Sequence, residues 1–327
     1  MITERAYAKI NLSLDVTGKF PNGYHTVRMI MQTVDIYDTL TFEKADSGIT
    51  IDVGGSELPV DKDNLIYRAA DALLRNNSSG VHITLEKHIP IAAGMAGGSS
   101  DAAATLRGIN RLFELGLSFD ELREIGVKIG ADVPYCIEGG TVLAEGIGEK
   151  LTPLSPLPEY ILAVAKPKKG VSTGNVYKSL DEIFDGISHP DVDAMLNIIR
   201  TIGNNDRDNI NNENSTPNGE LKVKNDDGTS QGIKEEFLHI PEQLMYCMGN
   251  VLEYVTVPLC PEINDIKDIF RKCKASGTLM TGSGPTVFAF YEDEENAFDA
   301  IKKIRQADLS SADESFVTKL KSFSVSV

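Results

Sequence analysis

The sequence predicts an α+β protein of two domains, and three observations carry that prediction. Apolar residues recur at period two in some segments and at the helical period in others, and the two kinds are interleaved along the chain. With 327 residues, 41% of them hydrophobic, the chain can bury a sizeable core but exceeds the usual extent of a single one. Pro153, Pro156 and Pro158 punctuate the stretch between Leu151 and Glu159. Proline restricts itself and the residue before it, so a boundary is expected there, dividing the chain into 1–155 and 156–327.

Ala8, Ile10, Leu12, Leu14 and Val16 alternate with their neighbours, which predicts a half-buried strand over 6–16, followed by a turn from Gly18 to Gly23. Further strands are expected at 27–34, 39–42, 49–53 and 81–85, and Leu65, Ala69, Ala72 and Leu73 predict a helix over 64–75. After a glycine-rich stretch, 100–113 and 119–129 read as two helices, each preceded by a Ser that can cap it. The second half reads as a strand at 160–165, helices near 191–202, 241–255 and 263–274, strands at 277–281 and 286–291, a helix over 294–305 and a last strand over 315–327. Between 204 and 236 the only aliphatic residues are Ile210, Leu221, Val223 and Ile233. Such a segment cannot bury enough apolar surface to offset the entropy of ordering it, so a solvated insertion is expected, disordered or forming a small hairpin.

The chain carries 48 acidic and 32 basic side chains, a formal net charge of −16, with no cluster of Lys and Arg. Nucleic acid is held largely by such clusters through counterion release, so that class of partner is set aside. Cys136, Cys247, Cys260 and Cys273 are spaced too widely for a zinc or redox pair and are expected to stay reduced. Glu4, Arg5 and Lys9 interrupt the apolar residues of the first segment, which reads as neither a signal peptide nor a membrane span. A cytoplasmic protein without membrane association is expected.

The chemistry is suggested by the segment Pro90-Ile91-Ala92-Ala93-Gly94-Met95-Ala96-Gly97-Gly98-Ser99-Ser100, which follows a strand and opens a helix. Its glycines allow close backbone approach to an anion, the helix start supplies unpaired N–H groups and a positive dipole end, and Ser99 and Ser100 add hydroxyls for phosphate or Mg²⁺. Neither the P-loop pattern nor GxGxxG fits it. Asp132, between Ala131 and Val133 and just ahead of Pro134, reads either as a turn residue or as a catalytic acid, with the proline expected to prevent helix continuation. Gly282, Ser283 and Gly284 form a second glycine-rich turn, a hairpin loop or a place of close backbone approach to ligand. Lys9 and Asn11 share one face of the first strand.

Taken together, AKINLSL (8–14), GYHT (23–26), DNLIYRAA (63–70), PIAAGMAGGSSDAAA (90–104), GADVP (130–134) and TGSGPTVFA (281–289) resemble, in order and across nearly the whole chain outside the insertion, the motifs of the GHMP kinases. The resemblance implies an N-terminal domain like ribosomal protein S5, a ferredoxin-like C-terminal domain, and an active site in the cleft between them. It implies ATP and Mg²⁺ as cofactors, with residues 90–100 around the phosphates, Ser100 as the candidate metal contact, and Asn64, Leu65 and Lys87 at the adenine. Asp132 is implied as the general base, with Lys9 beside it. GYHT and GADVP look like the branch of the family that serves non-mevalonate isoprenoid synthesis. This implies transfer of the γ-phosphate of ATP to the 2-hydroxyl of a cytidine-diphosphate-linked methylerythritol, a small-molecule partner. Tyr24 and His25 would then meet the cytosine, Thr173 and Tyr177 the cytidine part, and Asn11, Gly282, Ser283 and Gly284 the substrate. A homoserine or mevalonate type of kinase and a noncatalytic nucleotide sensor on the same scaffold stay open at this point, as do monomer and homodimer. Two departures stand out. Ala96 replaces a common glycine, so its backbone is expected to avoid positive φ, and Val251 stands where an acid is more usual.

Overall fold

The computed structural model describes residues 1–54, 58–75, 79–211, 221–224, 230–233 and 240–321. Strand β1 (Ile2–Lys19) and strand β2 (His25–Ala45) form a long antiparallel hairpin. Ala8, Ile10, Leu12, Leu14 and Val16 of β1 are all buried, as their alternation predicts. Strand β2 runs unbroken where two strands were expected. Its polar middle is retained because Asp38, fully buried, accepts the main-chain N–H groups of His88 at 2.6 Å and Ile89 at 2.8 Å. Strand β3 (Ile49–Asp52) lies parallel to strand β4 (Gly80–Glu86), which pairs with residues 39–45 of β2. Between them helix α1 (Leu65–Leu74) is capped by Asn64, whose Oδ1 accepts the N–H of Ile66 at 2.9 Å.

Helix α2 (Gly97–Leu112) starts three residues earlier than the sequence suggests and without a serine cap, because Ala96 occupies the cap position at φ 59°. The left-handed region expected to be avoided is thus occupied, at a local cost of about 1–2 kcal/mol. What holds the turn is tertiary: the neighbouring Met95 carbonyl accepts the N–H of Lys9 at 3.1 Å. Helix α3 (Phe119–Gly126) carries the expected Ser118 cap, reciprocated by Glu121. The preceding helix α3 does not continue through Pro134, as expected, but a new helix that the sequence did not suggest, α4 (Val133–Glu138), follows Asp132 directly with Pro134 in its first turn. In the first turn a proline lacks only an N–H that has no helical partner anyway. Strand β5 (Thr141–Gly146) pairs with residues 27–32 of β2, and strand β6 (Lys150–Pro153) extends that edge.

Strand β7 (Ile161–Ala165), helix α5 (Thr173–Leu180) and helix α6 (Val192–Asn211) open the second half. Within the expected insertion, α6 continues to 211 and strands β8 (Leu221–Lys224) and β9 (Ser230–Ile233) form a small antiparallel hairpin. Its other residues, like 322–327 of the expected last strand, lie outside the described ones. The helix expected over 241–255 is divided into helix α7 (Ile240–Tyr246) and helix α8 (Glu253–Leu259) by strand β10 (Gly249–Asn250), which joins the first sheet parallel to β1 at Ser13 and Leu14. Helix α9 (Glu262–Lys272), strands β11 (Gly277–Met280) and β12 (Val287–Tyr291), helix α10 (Glu294–Gln306) and strand β13 (Ser315–Lys319) complete the chain. The second sheet is antiparallel in the order β11-β12-β7-β13, with α9 and α10 packed against it.

The apolar core is shared between the halves. One buried cluster joins Leu14 and Met31 of the first sheet to Val251, Phe270 and Ile304, and another joins Ile10 and Ile30 to Met195 and Phe288.

Candidate active site

The pairing of β1 with β2 slips three times, between Tyr7 and Lys9, between Asn11 and Ser13 and between Val16 and Gly18, and the first two slips flank Lys9 and Asn11. Bulges of this kind re-aim side chains and bend the strand. Lys9 is buried, and its Nζ donates to Asn11 Oδ1 at 2.8 Å and to the carbonyl of Gly94 at 3.1 Å, with Asp132 Oδ2 at 3.8 Å. The amine of β1 thereby meets the glycine-rich loop and the acid that precedes α4.

The two glycine-rich segments touch through their backbones. A Cβ on Gly94, at φ +71°, would lie 2.4 Å from the Thr281 carbonyl, and one on Gly282, at φ +58°, would lie 2.7 Å from the Gly94 carbonyl. Neither side chain nor another backbone shape is compatible with that approach.

These residues border a cavity of about 900 Å³. Lys9 and Asp132 line it with the first turn of α2, whose leading N–H groups have no partner inside the helix. Lys87 also lines it, held between two buried carboxylates, Asp38 and Asp101, with Asp101 Oδ2 at 2.9 Å. Burial raises the Asp101 carboxyl to about 8 against the opposing pull of Lys87; the neighbouring Asp38 adds to the rise. For Lys87 burial works downward, but Asp101 and Asp38 outweigh it and the ammonium is stabilised. Elsewhere in the lining, Asp181 accepts from Lys19 Nζ at 2.6 Å and lies 2.7 Å from His25 Nε2, and the His25 ring sits 5.0 Å from that of Tyr177. Burial, with Asp132 nearby, pushes the Tyr177 phenol well up. Thr173 Oγ1 is 2.7 Å from Ser283 Oγ, linking α5 to the second glycine-rich turn.

Residues 64–140 match the model described as GHMP kinases N terminal domain, and 233–308 that described as GHMP kinases C terminal. A 4-diphosphocytidyl-2-C-methyl-D-erythritol kinase of Clostridium perfringens is 44% identical over 313 residues, covering 93% of this chain and 95% of that protein. The chain belongs to the GHMP kinase family. A 4-diphosphocytidyl-2-C-methyl-D-erythritol kinase of Exiguobacterium sibiricum is likewise 44% identical, over 90% of this GHMP kinase and 91% of its own length. Among solved structures, a 4-(cytidine 5'-diphospho)-2C-methyl-D-erythritol kinase superposes with a TM-score of 0.72 at 27% identity, covering 98% and 99% of the two chains. A homoserine kinase from Cytophaga hutchinsonii, at 18% identity and a TM-score of 0.64, shares the fold.

All the ligand-site residues expected of this GHMP kinase line the cavity except Asn11, Met95, Ser100 and Gly284. Asn11 is fully buried and bound to Lys9, and Met95 is packed beneath the loop. The Ser100 hydroxyl donates to the Tyr7 carbonyl at 2.6 Å, so the side chain expected to meet a metal is turned into the sheet, and Ser99 is the hydroxyl left facing the cavity. Asn64 lines the cavity, but its amide is engaged in capping, accepting from Ile66 and donating to the Pro59 carbonyl at 2.7 Å. Among the described residues no three His, Cys, Asp or Glu side chains are grouped to hold a metal ion, and no helix is long and apolar enough to cross a membrane. Sequence reasoning missed Lys19, Asp38, Asp101 and Asp181. Only Asp101, inside the SSDAAA run, carried a local signal.

Proposed function

We propose that this kinase transfers the γ-phosphate of ATP to the 2-hydroxyl of 4-diphosphocytidyl-2-C-methyl-D-erythritol. The observation that carries the reading is the Lys9–Asp132 pair, 3.8 Å apart, on the same cavity as the glycine-rich helix start and the Tyr24, His25 and Tyr177 rings. The names and 44% identity of relatives from two genera support the choice of acceptor.

In this reading the first turn of α2 faces the phosphates with its free N–H groups and positive dipole end, which suits a polyanion on a chain of net charge −16. Mg²⁺ fits here as a companion of the phosphates, with the Ser99 hydroxyl at hand and no group of three acidic, His or Cys side chains around it among the described residues. When bound it neutralises charge on the β- and γ-phosphates. The acceptor hydroxyl attacks phosphorus, the bond to the bridging oxygen of ADP breaks, and the hydroxyl proton passes to Asp132. Lys9, fixed by two acceptors, holds a positive charge between the acid and the transferring group. Tyr24, which is exposed, and Tyr177 offer ring faces for a pyrimidine.

The test is ATP consumption with a panel of acceptors, run on the wild type and on Asp132→Ala. Turnover is expected with the cytidylylated polyol and not with homoserine or mevalonate, and the variant should lose roughly 10²–10⁴-fold in kcat. Turnover of mevalonate or homoserine without the cytidylylated polyol would sink the substrate assignment.

A further inference from the structure

Asn11 was placed at the substrate by resemblance, yet its side chain is completely buried and shares one hydrogen-bond network with both halves of the molecule. Its amide oxygen accepts from Lys9 Nζ at 2.8 Å and from the N–H of Gly282 at 3.1 Å, while its main-chain N–H donates to Thr281 Oγ1 at 3.0 Å. The turn it grips is itself fixed from the second half. Asn250 Nδ2 donates to the carbonyls of Met280 and Gly282, both at 2.8 Å, Thr256 Oγ1 donates to the Ser283 carbonyl at 3.1 Å, and Glu253 accepts the N–H of Met280 at 2.7 Å. Val251, where an acid is more usual, is buried and takes no part. A lysine ammonium rides on a flexible four-carbon stem, so its direction is decided by the acceptors it finds.

We propose that Asn11 is a positioning residue, tying the Lys9 ammonium to the second-half turn so that the way the two halves meet sets the pose of Lys9 beside Asp132. The inference rests on the reading of Lys9 and Asp132 as the reacting pair. Of the three N–H bonds of the ammonium, Asn11 and Gly94 engage two, which leaves one for Asp132 and the cavity. Without the Asn11 oxygen the ammonium keeps a single short acceptor, and the buried N–H of Gly282 loses its own. Misplacement of a charged group by an ångström is enough to cost about 10²-fold in rate.

The experiment is a double-mutant cycle on kcat and KM with Asn11→Ala, Lys9→Ala and the pair. Asn11→Ala is expected to lower kcat about 10–100-fold with KM for ATP and acceptor changed less than about threefold, and to cost less than about threefold when Lys9 is already Ala, since no ammonium is left to aim. A residue that only supports the fold costs the same factor in both backgrounds; that result, or an unchanged kcat in Asn11→Ala, overturns the proposal. Should Asn11→Ala not fold, the isosteric Asn11→Asp keeps an oxygen for Lys9 and Gly282 and is expected to stay within about tenfold of wild-type kcat, whereas Asn11→Leu, similar in size but without an acceptor, falls further. An Asp variant that melts like the wild type but loses as much as the Leu variant overturns the proposal too. Asp132→Ala, run alongside, separates the two readings: full turnover there brings down the reacting pair itself, whatever Asn11 does.

Discussion

Asp38 and Asp101, both buried, face the one ammonium of Lys87, and their arrangement makes the protein's stability depend on pH in a definite direction. The Asp101 carboxyl is raised by burial to about 8 from an ordinary value of 3.8, so between those limits the folded protein keeps a proton that the unfolded chain releases. The folded state then binds more protons, and this contribution to stability is full below pH 3.8 and is lost as pH rises through about 8. Asp101→Asn removes the titration while keeping an acceptor for Lys87. Urea midpoints measured from pH 5 to 8 should fall less steeply with pH in the variant; equal slopes would refute the assignment. In the sequence, resemblance to the GHMP kinases implied only a place at the adenine for Lys87. That its ammonium is held by Asp38 and Asp101 was invisible there, because Asp38 lies 49 positions away.

At the level of elements, helix α2 owes its closeness to the first sheet to what its residues lack. Ala102, Ala103 and Ala104 are fully buried, and a Cβ placed on Gly108 would lie 2.4 Å from the ring of Phe42, itself fully buried. Gly108→Ala gains up to about 1 kcal/mol of helix propensity but overpacks a rigid contact at about 1–3 kcal/mol. The second effect wins, so the variant should be less stable by up to about 2 kcal/mol, seen as a lower melting temperature; a gain in stability would mean that α2 can slide. The cap of α3 was legible because Ser118 and Glu121 are three residues apart and answer each other locally. The start of α2 was not, because its left-handed Ala96 is held by contacts with β1. Helix α4 was hidden by Pro134, whose position within the first turn cannot be known until the turn is.

For the whole molecule, the shared core decides how it comes apart. Val251, Phe270 and Ile304 pack in one cluster with Leu14 and Met31, β10 is paired to β1, and Val34 bridges to Leu320. Exposing either sheet alone would uncover the apolar face of the other, so calorimetry should record a single transition with equal calorimetric and van't Hoff enthalpies. Two resolved transitions would show the halves to be energetically independent. The alternation of β1, the glycine-rich loop, the order of the six motifs and the acidic balance are all local or compositional, and from them the sequence by itself determined the family, the two-part α+β plan and the candidate reacting groups. Tertiary structure alone decided that Asn11 accepts from Lys9, that Ser100 turns inward and that Asp181 holds His25 and Lys19. Propensity and spacing act between near neighbours in the chain, whereas the aim of a buried polar group is set by whichever partner satisfies it, for Asn11 one that lies 271 residues away.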